Sequence, residues 1–162
     1  MGILLLICIT LCLALIDITL KSCIENSMTK KEERTACGGK VVLRKVYNKG
    51  MCMNLLEDKP DVVKYTSAYV AVLLTIYQLV TLLRKGKWIK KAGLSLTAAG
   101  AWSNTFDRWV RGYVIDYIGL ETKKKECSRL TFNLGDFFIG AGGILLVLSV
   151  LAEGIKGLFS RK

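Results

Sequence analysis

The chain has 162 residues, of which 52% are hydrophobic, and its mean hydropathy is +0.38. This composition is too apolar for an ordinary soluble protein, and the length predicts a single domain over residues 1–162. The net charge of +11 falls between and after apolar runs. That placement is typical of contacts with anionic lipid headgroups and argues against nucleic-acid binding.

The sequence contains no histidine, which excludes Ser-His-Asp and Cys-His catalysis and removes the commonest zinc ligand. The six cysteines form no C-x-x-C pair, so we expect neither a metal site nor a cofactor. Carboxylates, lysines, tyrosines or thiols must carry any chemistry. If the polar segments face an oxidising compartment, their cysteines could form one or two disulfides. The sequence does not give the pairing. These are Cys23, Cys37, Cys52 and Cys127.

The first apolar run, residues 3–20, is long enough to cross a bilayer. A cleaved signal peptide is the alternative. However, the run has no basic segment before it and no small-residue cleavage pattern after it. We therefore predict a retained membrane helix.

A polar segment, residues 21–61, follows this run. Within it, residues 40–47 are β-prone and residues 48–50 predict a turn. We expect a small β-sheet that lies on the membrane surface. A solvated loop is the alternative.

Three further membrane spans are predicted. The second, residues 62–83, starts after Pro60, which suits the first turn of a helix. The third, residues 92–106, has low hydropathy but many small residues, which allow helices to approach closely. The fourth, residues 132–159, starts glycine-rich and continues rich in leucine and valine. We therefore predict a membrane all-α protein with a small β element, built as a four-transmembrane-helix bundle.

Residues 84–91 contain five basic residues, which marks this loop as cytoplasmic. Four spans then leave both termini cytoplasmic and residues 21–61 and 107–131 outside. Ionisable residues from three spans converge at the outer face, whereas chance would scatter them between both faces. Because charge is costly beside lipid, this convergence predicts a functional site. The residues are Asp17, Lys21, Asp107, Arg108, Asp116 and Asp136.

Asp116 and Asp136 lie at the edges of apolar stretches, and a polar stretch between them lets the chain turn back. Two adjacent carboxyls share one proton, so one serves as base and the other as acid for an attacking water. Separate caps or lysine pairs are the alternative, and Asp136 could cap the fourth span.

Asn104, Asp107 and Arg108 lie within one helical turn, which predicts that they share a face. Arg108 could pair with Asp107 or with a catalytic carboxylate. A structural ion pair that closes the outer end of the bundle is the alternative.

Residues 103–118 resemble the pattern G-N-x-x-D-R-x-x-x-G-x-V-x-D-F-I, and residues 132–136 resemble F-N-x-A-D; both patterns belong to the lipoprotein signal peptidase (signal peptidase II) family. Asp17 and Lys21 match the D-x-x-x-K at the end of that family's first helix. Residues 48–50 resemble the N-x-G of its outer sheet, and the resemblance implies that Asn48 and Gly50 belong to an outer lid. The motifs occur in the family's order and cover nearly the whole chain.

The resemblance implies an intramembrane aspartyl endopeptidase of the bacterial cytoplasmic (inner) membrane, with its active site near the extracytoplasmic face. Its partners would be membrane lipids and diacylglyceryl-modified prolipoproteins, whose signal peptides it would remove without a cofactor. We expect a monomer. The implied catalytic pair is Asp116 and Asp136. The residues implied to shape the site or to bind substrate are Asp17, Lys21, Asn48, Gly50, Asn104, Asp107, Arg108, Gly112, Val114 and Asn133.

The chain departs from the pattern at Ser103, where the family has glycine, and at Gly135, where it has alanine. After residues 48–50 the family has small residues and phenylalanine, whereas this chain has the flexible run of residues 51–53, Met-Cys-Met. We expect an unusual member with altered substrate preference. The alternatives are a catalytically divergent lipoprotein-binding or assembly protein and a small proton-coupled transporter.

Overall fold

The structure, a computed structural model, describes residues 2–51, 55–120 and 130–159. These residues form helices and strands that are numbered here in chain order. The helices are α1 (Gly2–Ser27), α2 (Pro60–Leu82), α3 (Trp88–Val110) and α4 (Leu134–Phe159). The strands are β1 (Glu33–Ala36), β2 (Val41–Asn48), β3 (Val114–Leu120) and β4 (Thr131–Phe132).

Helix α3 is the centre of the bundle, because it packs against α1, α2 and α4. Glycines line its contact with α4. A Cβ on Gly142 would lie 2.6 Å from the carbonyl oxygen of Gly93, and a Cβ on Gly100 would overlap the backbone of Gly135. The two backbones can approach this closely only because side chains are absent there. The small residues therefore have the role that the sequence predicted for them.

Helices α1, α2 and α4 are each long and apolar enough to cross a membrane. Helix α3 has 23 residues, but its polar side chains leave it outside this group of described helices. Helix α3 extends four residues beyond each end of the span expected at residues 92–106. Helix α3 continues through polar residues such as Asp107, because their side chains are buried within the protein.

Helix α1 is longer than the first span predicted at residues 3–20. Helix α1 continues to Ser27, about 10 Å further at 1.5 Å per residue. Lys21 does not stop the helix because its charge is paired within the protein. Helix α2 begins at Pro60, two residues before the predicted span, and Pro60 lies in its first turn as predicted. Helix α4 begins at Leu134, two residues after the start of the predicted fourth span.

The strands form one antiparallel sheet in the order β1-β2-β3-β4. The predicted sheet is thus confirmed, and the solvated loop is excluded for residues 41–48. The turn expected at residues 48–50 is displaced, since Asn48 still belongs to β2 and the chain bends at Gly50 and Met51. Strand β3 was not predicted, yet its pairing with β2 sets Val46 opposite Asp116 and Asn48 opposite Val114.

Candidate active site

The first turn of α4 holds Asp136 in a fixed position. The Asp136 amide donates to Asn133 Oδ1 over 2.9 Å, and the Asn133 amide donates to Asp136 Oδ2 over 3.0 Å. This reciprocal pair is a capping box, and the helix dipole there favours a negative charge. Asp136 Oδ1 remains directed at α3, where Asn104 Nδ2 donates to it over 2.9 Å. Asp136 thus takes part in a helix cap, as one alternative expected, and still faces the centre of the site.

Asp116 projects from β3, and its side chain is only 4% exposed. Asn133 Nδ2 donates to Asp116 Oδ1 over 2.7 Å, and Asn48 Nδ2 donates to Asp116 Oδ2 over 3.1 Å. Burial and the nearby charge of Asp136 raise the pKa of Asp116 to about 6, against the opposing effect of these two donors. Because Asp116 belongs to strand β3, it lies outside the helices that can span a membrane.

Asn133 therefore contacts both aspartates. Its side-chain nitrogen binds Asp116, while its side-chain oxygen and its backbone amide bind Asp136. The charge of Asp136 also acts on Asp116 and helps to raise its pKa. Two carboxyls that interact in this way can hold one proton and polarise a water molecule.

A buried cluster of charged and polar groups lies beside the aspartate pair, with Lys21 at its centre. Lys21 Nζ contacts Asp17 Oδ2 at 2.8 Å, Asn104 Oδ1 at 2.7 Å, Ser103 Oγ at 3.0 Å and Asp107 Oδ2 at 3.5 Å. The side chains of Lys21, Asp17 and Asp107 are completely buried. Breaking such a buried network leaves an uncompensated charge, so the cluster holds α1 firmly against α3.

Asn104 connects this cluster to the aspartate pair. Its Oδ1 accepts from the Lys21 ammonium, and its Nδ2 donates to Asp136. Because an ammonium can only donate, Lys21 fixes which end of the Asn104 amide faces it. The donor end is thereby directed at Asp136.

Asp107 and Arg108 do not form the expected pair. Asp107 Oδ1 pairs with Arg111, one helical turn away, and Asp107 Oδ2 accepts from the Ile115 amide over 3.2 Å. Adjacent residues of a helix point in different directions, so Asp107 faces Lys21 and β3 while Arg108 faces elsewhere.

Arg108 instead connects α3 to the chain that follows β2. Its Nη2 donates to the Gly50 carbonyl oxygen over 2.9 Å, and it forms no ion pair with the carboxylates that the structure describes. Its charge nevertheless acts on Asp116 and Asp136. Its Nε is buried without a hydrogen-bond partner among the described residues.

Gly112 and Val114 shape the backbone rather than the reacting centre. Gly112 has a φ of 82°, and its amide donates to the Asp107 carbonyl over 3.1 Å at the end of α3. A left-handed glycine at this position is a common helix C-cap, and here it turns the chain into β3. Val114 is 2% exposed and lies opposite Asn48 in the sheet.

Two residues of the cluster were not identified from the sequence. Tyr117 Oη donates to Asp17 Oδ1 over 3.1 Å and accepts from the Leu134 amide over 3.2 Å, which joins α1, β3 and α4. Ser103 Oγ donates to Asp17 Oδ2 over 2.6 Å. In the sequence, Tyr117 resembles an apolar flank and Ser103 a small packing residue, so no local signal marked either.

Ser103 and Lys21 are as close as a nucleophilic serine and its lysine base, but their hydrogen bonds run the wrong way. The ammonium donates to the hydroxyl, and the hydroxyl donates to Asp17. The serine proton is therefore directed at a carboxylate and not at the lysine. This geometry favours the aspartates as the chemical groups.

Cys23 carries a free thiol. The side chains of Cys37, Cys52 and Cys127 fall outside the described residues, as does the part of the expected lid at residues 52–53. Within the described part of the chain, no group of three or more Cys, Asp or Glu side chains could hold a metal ion.

Comparison with known proteins identifies the family of the chain. The sequence model of the family described as Signal peptidase (SPase) II matches residues 9–152. The lipoprotein signal peptidase of Caldicellulosiruptor bescii is 34% identical over 77% of this chain and 77% of its own length. That of Syntrophomonas wolfei is 31% identical over 89% of this chain and 91% of its own.

Two solved structures, each described as a bacterial membrane enzyme, share the fold. One superposes with a TM-score of 0.78 at 20% identity and covers 92% of this chain and 88% of its own. The other has a TM-score of 0.74 at 20% identity, with 90% and 92% covered. The family match extends over most of the chain and includes both aspartates, and the chain therefore belongs to the signal peptidase II family.

Proposed function

We propose that this protein is an aspartyl endopeptidase that removes signal peptides from diacylglyceryl-modified prolipoproteins. Membership of the signal peptidase II family supports the cleavage of prolipoprotein signal peptides. The observation that carries the catalytic assignment is the position of Asn133, which binds Asp116 through its side chain and Asp136 through its side chain and backbone.

In the proposed reaction Asp116 is the acid, because burial and the charge of Asp136 raise its pKa to about 6. Asp136 is then the base and takes a proton from a water molecule as the water oxygen attacks the scissile carbonyl carbon. Asp116 donates its proton to the carbonyl oxygen. When the C–N bond breaks, Asp136 gives its proton to the leaving amine, and a hydroxyl of the intermediate returns a proton to Asp116.

The proposed arrangement is a single membrane domain with four spans, formed by α1 to α4. The apolar character of three helices and the packing of α3 against all of them support this arrangement. The basic residues 84–91 favour cytoplasmic termini, so that the site faces the extracytoplasmic side of a bacterial cytoplasmic membrane. We propose that it acts as a monomer surrounded by membrane lipids.

The substrate is proposed to enter laterally, with its signal helix among the spans and its acyl chains in lipid. The contacts of Asn48 with Asp116 and of Arg108 with Gly50 support a lid role for the chain after β2. Met51 follows directly, and its amide donates to the Leu55 carbonyl over 2.7 Å. A flexible methionine at this place favours an altered substrate preference.

Proton-coupled transport is less well supported. Below the outer cluster, α1, α2 and α3 are joined by Gln78, whose Nε2 contacts Thr10 Oγ1 at 2.9 Å and Ser95 Oγ at 3.1 Å. Such a polar link on these helices was not expected from the sequence. Its members are neutral amides and hydroxyls, whereas proton relays in membranes use ionisable side chains.

A cleavage assay tests the proposal. Purified protein is incubated with a lipidated prolipoprotein and, in parallel, with the same precursor lacking the diacylglyceryl group. The proposal predicts a product cut before the modified cysteine, identified by mass spectrometry, from the lipidated precursor only. A lipoprotein-binding protein without catalytic activity would retain the precursor and yield no shorter product.

A further inference from the structure

One carboxylate oxygen, Asp17 Oδ2, lies between two side-chain positions that depart from the family pattern. The Ser103 hydroxyl donates to it over 2.6 Å. On its other side lies Gly135, and a Cβ at that position would be only 2.7 Å from the same oxygen. Asp17 and Ser103 are completely buried, so neither group contacts solvent.

Two donors hold this oxygen in place. Lys21 Nζ approaches it at 2.8 Å and also donates to Ser103 Oγ over 3.0 Å. The three side chains thus form a closed ring of short polar contacts. Because charge-assisted contacts in a buried site are strong, Asp17 Oδ2 cannot easily move away from α4. A methyl group at residue 135 would have to displace it.

We infer that Ser103 and Gly135 form a coupled pair, in which Ser103 positions the Asp17 carboxylate over the first turn of α4 and Gly135 leaves the space that this carboxylate occupies. The family pattern has glycine in place of Ser103 and alanine in place of Gly135. Relative to that pattern, a side-chain carbon is gained on α3 and another is lost on α4. The two departures compensate each other.

The coupled pair acts on the aspartates through Lys21 and Asn104. The ring sets the position of Lys21 Nζ, which orients the Asn104 amide, and Asn104 donates to Asp136 over 2.9 Å. Ser103 is therefore a positioning residue. This catalytic part of the inference rests on the proposed function, whereas the steric coupling does not.

The test is a double-mutant cycle with Ser103→Gly, Gly135→Ala and the double variant, each compared with the wild type. Gly140→Ala is the matched control, since a Cβ at Gly140 meets nothing within 4 Å. Gly135→Ala alone should lower kcat about tenfold with little change in KM. Adding Ser103→Gly should restore most of that loss, because Asp17 Oδ2 then loses the Ser103 donor and can shift away from residue 135 while it keeps its contact with Lys21. Ser103→Ala, which removes only the hydroxyl, should lower kcat and alter the pH profile.

Thermal unfolding of the same variants separates the two parts of the inference. If Gly135→Ala lowers the unfolding midpoint and the added Ser103→Gly raises it again, the steric coupling is supported. This holds even if neither the wild type nor any variant cleaves substrate. In that case the proposed function alone is contradicted. Should Gly135→Ala not fold, recovery of folding in the double variant supports the coupling equally. The coupling would be overturned if the losses of the two single variants simply added in the double variant. It would also be overturned if Gly135→Ala had the same midpoint and activity as the Gly140→Ala control.

Discussion

Asn133 donates a 2.7 Å hydrogen bond to Asp116, and so the residue that caps α4 also fixes a carboxylate on β3. The same residue holds Asp136 through its backbone amide and its side-chain oxygen. The two aspartates belong to different elements, and their relative position depends on this one asparagine. Asn133 therefore serves both as the cap of α4 and as a contact that fixes the geometry of the candidate site.

Replacing Asn133 by serine should separate these two roles. Serine is as good an N-cap as asparagine, so the thermal midpoint should stay close to that of the wild type. The donor to Asp116 is lost, and a hydrogen bond to a charged group is worth about 1.5–3 kcal/mol, so kcat/KM should fall about 10- to 100-fold. Asn133→Ala should show the same loss of activity and a further loss of about 1 kcal/mol in unfolding free energy. Equal activity of Asn133→Ser and wild type would contradict this role.

The pH dependence of cleavage should follow the proton on Asp116. The pKa of Asp116 is raised to about 6, and the proposed acid must keep its proton, so kcat/KM should decline as the pH rises through that value. Asn48 donates to the Asp116 carboxylate and stabilises its ionised form. Asn48→Ala should therefore raise the pKa and move this alkaline limb to higher pH. If Asp116 acted instead as the base, the same substitution would move the acidic limb of the profile to higher pH and leave the alkaline limb unchanged.

Replacing the buried Lys21 by methionine should lower the free energy of unfolding strongly. The substitution removes the ammonium between Asp17 and Asp107 and leaves their buried charges unbalanced. The expected cost is about 3–5 kcal/mol in unfolding free energy. Lys40→Met is the control, because Lys40 is exposed, and it should change stability by less than about 0.5 kcal/mol. Equal stability of the two variants would mean that the cluster does not hold α1 against α3.

Neighbouring glycines of α4 should respond differently to alanine. A Cβ at Gly142 would lie 2.6 Å from the Gly93 carbonyl oxygen, so Gly142→Ala should cost about 1–3 kcal/mol through overpacking. A Cβ at Gly143 meets nothing within 4 Å, and Gly143→Ala should be neutral or stabilise the helix by up to about 1 kcal/mol. Unfolding midpoints of the two variants check this directly. Similar values would argue against close contact between α3 and α4.

Much of the fold could be predicted because its signals are local. Hydropathy located α1, α2 and α4, Pro60 marked the first turn of α2, and the β-prone residues 40–47 predicted part of the sheet. The convergence of the ionisable residues also followed from the order of the spans. The catalytic assignment of Asp116 and Asp136 stays a prediction until activity is measured.

Strand β3 and the partners within the cluster could not be predicted in the same way. The run from Val114 to Ile118 has the β-branched and aromatic residues of a strand, but Asp116 within it suggested the edge of a span. Tyr117 and Asp17 are 100 positions apart in the chain and meet only once the helices pack. Sequence spacing likewise left Asp107 or a catalytic carboxylate as partners of Arg108, whereas Arg108 donates to the Gly50 carbonyl and Asp107 pairs with Lys21 and Arg111.

The most direct test of the aspartate pair is the rate of cleavage of a lipidated prolipoprotein by Asp116→Asn and Asp136→Asn. Asn is nearly isosteric with Asp, so both variants should keep a thermal midpoint near that of the wild type. Asp61→Asn, at an exposed carboxylate of α2, is the matched control and should cleave normally. The proposed mechanism predicts that each of the first two substitutions lowers the rate at least about a hundredfold. Full activity in either variant would contradict it.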